Sequence, residues 1–392
     1  MSLVFRFGKR HKKKLVFSAF LFGGSYAFIK YSIYKIKKSL FLLPEDSRLV
    51  KKEYLKSKKF DHYLAIKKTS DDAILSIFES IQEQINNNLS SNEYLEQLKL
   101  KPPNKLELWE KIKILSVSKC LASIYSMVIV SILTKIELNI VGGFLFRQIV
   151  TDGSSFDNIK SSSQINLSAK FQKKYLENIE KFSQEGIKKL CLNIRPIVEK
   201  VFENINLKEN IGTEYLNEKL ELTMELFEAQ NDDFVTEYLS FGYSITKGSL
   251  ESEYCLVDAS NPMVDHVEEN ILSDLNNETL DLILCEDFKQ TFRTIFDDLK
   301  NDLLNNLSSL MLTQILKRES PEKISISLPF AKLIPILNQI KLPLNKNIII
   351  DNISLNIFSA NIYEAFSYFP EESFNYDSMG GLDVNMLLKE LV

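Results

Sequence analysis

The chain has 392 residues, 45% of them hydrophobic and 26% charged, with a formal net charge of −4, three His and four Cys. Cys120, Cys191, Cys255 and Cys285 are widely spaced with no CxxC pair, so they read as buried thiols of a reducing compartment, and three His are too few for a His-rich metal centre. The charge is unevenly placed: residues 1–60 hold thirteen Lys and three Arg against Glu45, Asp46 and Glu53, a net of +13, so residues 61–392 must carry −17.

In chain order, the first element is a basic block, Arg10-His11-Lys12-Lys13-Lys14, running into an apolar stretch from Leu15 to Tyr34 and then into Lys35, Lys37 and Lys38. Twenty helical residues reach about 30 Å, the thickness of a bilayer's hydrocarbon core, and Lys30 lies near one end where it can snorkel. This predicts a membrane anchor over 15–34, preceded by a short basic N-terminus, 1–14, and followed by a basic juxtamembrane linker, 35–60. A secretory signal shares the charged start and apolar run, but the cysteine pattern argues against export. Six basic residues closely flank the stretch on each side, so the positive-inside rule leaves its orientation open.

From 61 onward the apolar period is helical. Residues 71–98 place Ile74, Ile77, Phe78, Ile81 and Ile85 on one face, with Asp71-Asp72 where a helix start favours negative charge. Asn86-Asn87-Asn88 and Ser90-Ser91 weaken the pattern before a second short helix, and Pro102-Pro103 breaks it. The most apolar helix runs from Leu106 to about Val141, with Gly142-Gly143 as its expected stop. Its uncharged segment, Cys120–Thr134, is short for a membrane span and is thinned by serines, so a core helix packed on all sides is expected. A Ser-rich loop at 151–168 follows, then helices at about 169–204, interrupted or kinked near Pro196, at 213–246, and from Pro262, faltering at Asn276-Asn277 and resuming through 288–316. Residues 347–358 alternate in a strand-like way at Ile353, Leu355 and Ile357, and 368–392 read as an acidic tail. The expected fold is all-α: a single N-terminal membrane anchor followed by a large elongated helical bundle over 61–367.

Catalytic patterns are nearly absent. The sequence has no HExxH, GxSxG, Walker A or GxGxxG motif, and the adjacent pair Asp265-His266 does not share a helix face. His62 sits in a charged linker on this reading. The Lys-rich N-terminus lacks interleaved aromatics, which favours lipid over nucleic acid. One segment stands out: Lys105-Leu106-Glu107-Leu108-Trp109, where the only tryptophan lies in the first turn of the most apolar helix, directly after the double proline. Trp109 is either a core aromatic or an interface anchor, and Lys105, four residues earlier, shares its face.

Several blocks in order resemble the peroxin-3 family: Arg10-His11-Lys12-Lys13-Lys14 with Gly23-Gly24 and Tyr26; Asn104-Lys105-Leu106-Glu107-Leu108-Trp109-Glu110; Glu137-Leu138-Asn139-Ile140-Val141-Gly142-Gly143; Ser327-Leu328-Pro329-Phe330-Ala331-Lys332; and Ala360-Asn361-Ile362-Tyr363-Glu364-Ala365-Phe366. The spacing agrees over almost the whole chain, departing mainly in 151–168, 343–358 and the tail. The resemblance implies a non-catalytic, cofactor-free protein of the peroxisomal membrane, single-pass and monomeric, with its bulk in the cytosol. It would dock the chaperone peroxin-19 by taking that partner's amphipathic helix into an apolar groove. It implies membrane targeting through Arg10, Lys12, Lys13 and Lys14, and a groove at Leu98, Lys99, Lys105, Leu106 and Trp109 with a second wall at Phe144 and Leu145. Two other classes are compatible with the residues: a tether recruiting inheritance, motor or autophagy factors, and a membrane-bound enzyme built on Asp265 and His266.

Overall fold

A computed structural model describes residues 48–153, 169–230, 262–316, 327–340 and 345–368, together with Tyr31, Lys35, Tyr238 and Pro343. The basic block Arg10–Lys14, almost all of the 15–34 stretch, residues 154–168 and the tail beyond Tyr368 lie outside it. The described chain is all-α apart from one antiparallel pair of three-residue strands.

Helix α1 spans Arg48–Asn88 (41 residues), α2 Asn92–Lys99, and α3 Lys105–Gly153 (49 residues). Helix α4, Ala169–Lys181, continues through a π-helical turn at Phe182–Gly186 into α5, Ile187–Phe202. Strand β1 (Asn210–Gly212) leads to α6 (Thr213–Gln230), followed by α7 (Pro262–Leu284) and α8 (Glu286–Leu316). Strand β2 (Ser327–Pro329) pairs with β1 and opens α9 (Phe330–Gln339), followed by α10 (Asn347–Ile350) and α11 (Ile353–Ser367). At 1.5 Å per residue, α1 and α3 are rods of about 60 and 73 Å, which makes the bundle elongated.

Helix α3 is its axis. By length and composition α3 could cross a membrane, but 94% of its most apolar window is buried inside the bundle. Helices α1, α5, α8, α9 and α11 pack around it, which accounts for the absence of a polar face. Tyr125 of α3 lies among Phe292 and Phe296 of α8 and Phe227 of α6, with ring centroids 4.7–6.1 Å away, while the Cys120 thiol faces the Leu337 carbonyl of α9. Burial raises the Cys120 and Cys191 thiols to about 12, so both stay protonated and inert at neutral pH.

The structure corrects six local expectations. Gly142-Gly143 does not end α3. A Cβ on Gly143 would lie 2.9 Å from Phe366 Cβ, Ser367 N and Tyr363 O, and one on Gly142 would lie 2.8 Å from Ile66, so these glycines let α3 pass closely between α11 and α1. Asp71-Asp72 are not at a helix start: α1 runs unbroken from Arg48, and Asp71 is buried against α3. His62 is not in a linker; it is buried in α1 with ring centroids of Phe146 and Tyr363 at 5.7 and 5.8 Å, its Nδ1 2.7 Å from Tyr363 Oη. Burial pushes its pKa down to about 4, leaving it neutral at physiological pH. Residues 347–350 and 353–358 are helical, with a turn at Asp351-Asn352 between them: Asn352 caps α11 by accepting from the Leu355 amide at 2.9 Å, and Leu355, Phe358, Ile362 and Tyr363 follow the helical period into the core. Asn276-Asn277 do not interrupt α7, and Pro196 sits within the unbroken α5.

Helices α1 and α3 run antiparallel, as two cross-links show. Gly142 faces Ile66, and the fully buried Lys135 ammonium donates to Asp71 Oδ1 at 2.5 Å, with Lys67 3.2 Å from the other oxygen. The first turns of α3 therefore project past the end of α1, where α2 packs on them. This places the α2–α3 corner at the far end of α1 from Arg48.

Candidate functional site

The corner follows from local chemistry. Asn88 ends α1, Ser91 precedes α2, and Pro102-Pro103 sit between α2 and α3 where no helical amide is needed. Within it, Lys105, Trp109 and Lys113 are spaced one turn apart along one face of α3. Burial rises along that line: Lys105 is exposed, Trp109 is half-buried against the core, and Lys113 is fully buried. Lys113 donates to the Ile205 carbonyl at 2.7 Å, pairs with Glu110 at 2.5 Å and lies 5.7 Å from the Phe330 ring. It ties the root of the corner to the bundle while Trp109 marks the edge.

Around Trp109 the surface is apolar with a mixed-charge rim. Leu100 is 84% exposed, Leu106 68% and Leu95 37%, three of the ten exposed large hydrophobic residues among those described, brought together within twelve positions. Tyr94 and Leu98 are half-buried beside them. Lys99, Lys101 and Lys105 are exposed at the rim, and Lys99 Nζ lies 2.6 Å from Glu96. Clustered exposed leucines flanking a half-buried tryptophan make an unfilled apolar surface of the kind that marks a protein-binding site.

Leu98, Lys99, Lys105, Leu106 and Trp109 thus meet at one corner. Phe144 and Leu145 do not join them. Because α3 continues to Gly153, these two lie 35 positions further along the same rod, about 52 Å from Trp109, and cannot wall its groove. Leu145 is buried, and Phe144 is half-buried under the Arg147 guanidinium, 4.8 Å from the ring centroid. Sequence reasoning passed over Tyr94, Leu95 and Leu100, whose signal was the i, i+1, i+4 spacing of Tyr94, Leu95 and Leu98 on a short helix ending at a double proline.

Asp265 and His266 fall in the first turn of α7, with their side chains outside the described set. Among the described residues no group of three or more His, Cys, Asp or Glu is placed to hold a metal ion.

The described residues form an all-α bundle with exposed leucines clustered at the α2–α3 corner. Comparison with known proteins gives the family: a Peroxin-3 profile matches residues 58–365. Peroxisomal biogenesis factor 3 of Homo sapiens is 28% identical over 383 residues, and that of Mus musculus 27% over 382, each alignment covering 93% of this chain and 97% of the relative. Peroxisome biogenesis protein 3-2 of Arabidopsis thaliana is 22% identical over 241 residues, covering 58% of this chain and 64% of the relative. The chain belongs to the Peroxin-3 family. Membership supports a role in peroxisome biogenesis and implies a peroxisomal location.

Proposed function

We propose that this protein is a non-enzymatic docking receptor on the peroxisomal membrane, which receives peroxin-19 at the α2–α3 corner so that newly made membrane proteins can be inserted. The observation that carries the reading is the cluster of Leu95, Leu98, Leu100, Leu106 and Trp109 on one exposed corner. An amphipathic helix laid in a groove needs apolar anchors one turn apart with charges at the rim, and Leu106, Trp109 and Lys105 have that arrangement. The lysines at the rim act on the encounter. Lys105→Glu should slow association with peroxin-19 about three- to tenfold at low salt, with the difference shrinking as ionic strength rises and dissociation changing less. Stopped-flow mixing at two salt concentrations checks this. An effect confined to dissociation would place Lys105 inside the contact and not at its rim.

The proposed topology has residues 1–14 in the organelle lumen, 15–34 across the bilayer, 35–60 as the basic juxtamembrane segment that leads into the bundle, 61–367 in the cytosol and an acidic tail at 368–392. Helix α1 would then carry the corner about 60 Å from Arg48, clear of the lipid surface. Residues 1–40 fused to a soluble reporter should hold it on peroxisomal membranes through alkaline extraction. Replacing Lys12, Lys13 and Lys14 by Glu should misdirect the fusion without preventing insertion, since the apolar run is intact. Release of the reporter into the soluble fraction would rule the anchor out.

A further inference from the structure

We infer that α2 is a hinged wall of the corner, latched to α3 by Tyr94 and Lys111, and that its opening admits the partner helix; the second part rests on the receptor reading above. Leu89 and Leu108 are buried, and between them Ser91 alone is buried, so residues 92–107 form a run without one enclosed side chain. Within that run α2 is eight residues long, too short to persist as a helix in isolation, so its contacts with α3 decide where it sits. Those contacts are slight. Tyr94 and Leu98 are half-buried, and Lys111 Nζ reaches to 5.9 Å from the Tyr94 ring centroid while pairing with Glu107 Oε1 at 2.5 Å. The Glu107 pair lies within α3 and steers the ammonium toward the ring.

Each end of α2 is held by local bonds alone. At its start Ser91 gives no side-chain cap and the Asn92 amide donates to Ser90 Oγ at 3.3 Å; at its end the Leu100 and Lys101 amides donate to the Gln97 and Leu98 carbonyls at 3.1 Å, and Lys101 takes φ 53°, a left-handed conformation unfavourable for a residue with a Cβ, before Pro102-Pro103. Lys113, buried one turn beyond Trp109, holds the opposite wall fixed. One wall is therefore anchored in the core and the other hangs between two pivots. Moving Leu95 and Leu98 away from Leu106 and Trp109 would uncover only the half-buried Tyr94 and Leu98 and leave the fully buried core in place.

Amide hydrogen exchange on the full chain tests the latch, comparing wild type, Tyr94→Leu, Lys111→Gln and the double variant. Each single variant should speed exchange at the α2 amides by on the order of threefold, the worth of one partly exposed cation–π contact, with the cores of α1 and α3 unchanged. The double variant should add little to either single one, because both remove the same contact. Unchanged α2 exchange, or fully additive effects, would overturn the latch. Peroxin-19 titrated into wild type and Tyr94→Leu, a substitution that alters no charge, tests the role of opening: a threefold larger open population should strengthen binding about threefold. Faster exchange with unchanged or weaker binding would overturn the claim that opening admits the partner. Absence of peroxin-19 binding to the wild type would sink the receptor reading, leaving the exchange result to decide the latch.

Discussion

Asp71→Ala should destabilise the protein by about 3–5 kcal/mol, the cost of leaving a buried ammonium without its carboxylate. Lys135 is fully buried, and its 2.5 Å bond to Asp71 is the direct ionic tie between α1 and α3 at mid-bundle. Burial lowers the Lys135 pKa to about 8 even though Asp71 acts to raise it. Removing Asp71 lowers it further. Between the folded value and 10.5 the unfolded chain holds more protons than the native one, so stability rises with pH across that window. In Asp71→Ala the window opens at lower pH, and the deficit against wild type should narrow from pH 7 to pH 9. Asp71→Leu combined with Lys135→Met should recover most of the loss, because neither charge is then stranded. Urea midpoints at the two pH values measure all of this. A loss under about 1 kcal/mol that does not depend on pH would mean that water reaches Lys135 and the pair is not a structural tie.

The same pair shows where sequence reading stops. The helical period of Ile74, Ile77, Phe78, Ile81 and Ile85 was legible because apolar side chains repeat at helical spacing wherever one face is buried. The continuation of α1 back through His62 to Arg48 was not, because buried polar and charged residues break that period. His62, Asp71 and Lys135 look like surface residues until their partners on other helices are known. Gly142-Gly143 misled for a related reason: a glycine pair reads as a helix stop when only the local chain is considered, whereas here it answers to Ile66 and Tyr363, far away in sequence. The strand-like alternation of Ile353, Leu355 and Ile357 was a coincidence of spacing. Asn352, whose cap starts α11, was the better signal.

The site was partly legible. A lone tryptophan after a double proline, with Leu106 and Lys105 within one turn, identified the corner from local chemistry. The second wall at Phe144 and Leu145, implied by the family resemblance alone, does not fit this chain: α3 runs on as one rod to Gly153 and holds both residues about 52 Å from Trp109. On the proposed reading α2 takes that place, with Tyr94 and Leu98 half-buried and Leu95 exposed beside Trp109. Because α2 and α3 are consecutive, a short stretch of sequence could carry most of the information about the candidate site.

The central claim, that the α2–α3 corner is where a partner helix docks, is tested most directly at Trp109. Its ring is half-buried in the free protein, so truncation removes few core contacts but would remove the central anchor of the interface. Titrating peroxin-19 into wild type and Trp109→Ala, with the urea midpoint of each recorded alongside, separates a binding role from a structural one. The expected result is an affinity loss of about 2 kcal/mol or more, roughly thirtyfold, with a much smaller change in stability. Unchanged affinity together with a stability loss of about 3–5 kcal/mol would contradict it, making Trp109 an ordinary core aromatic and moving the docking surface elsewhere on the bundle.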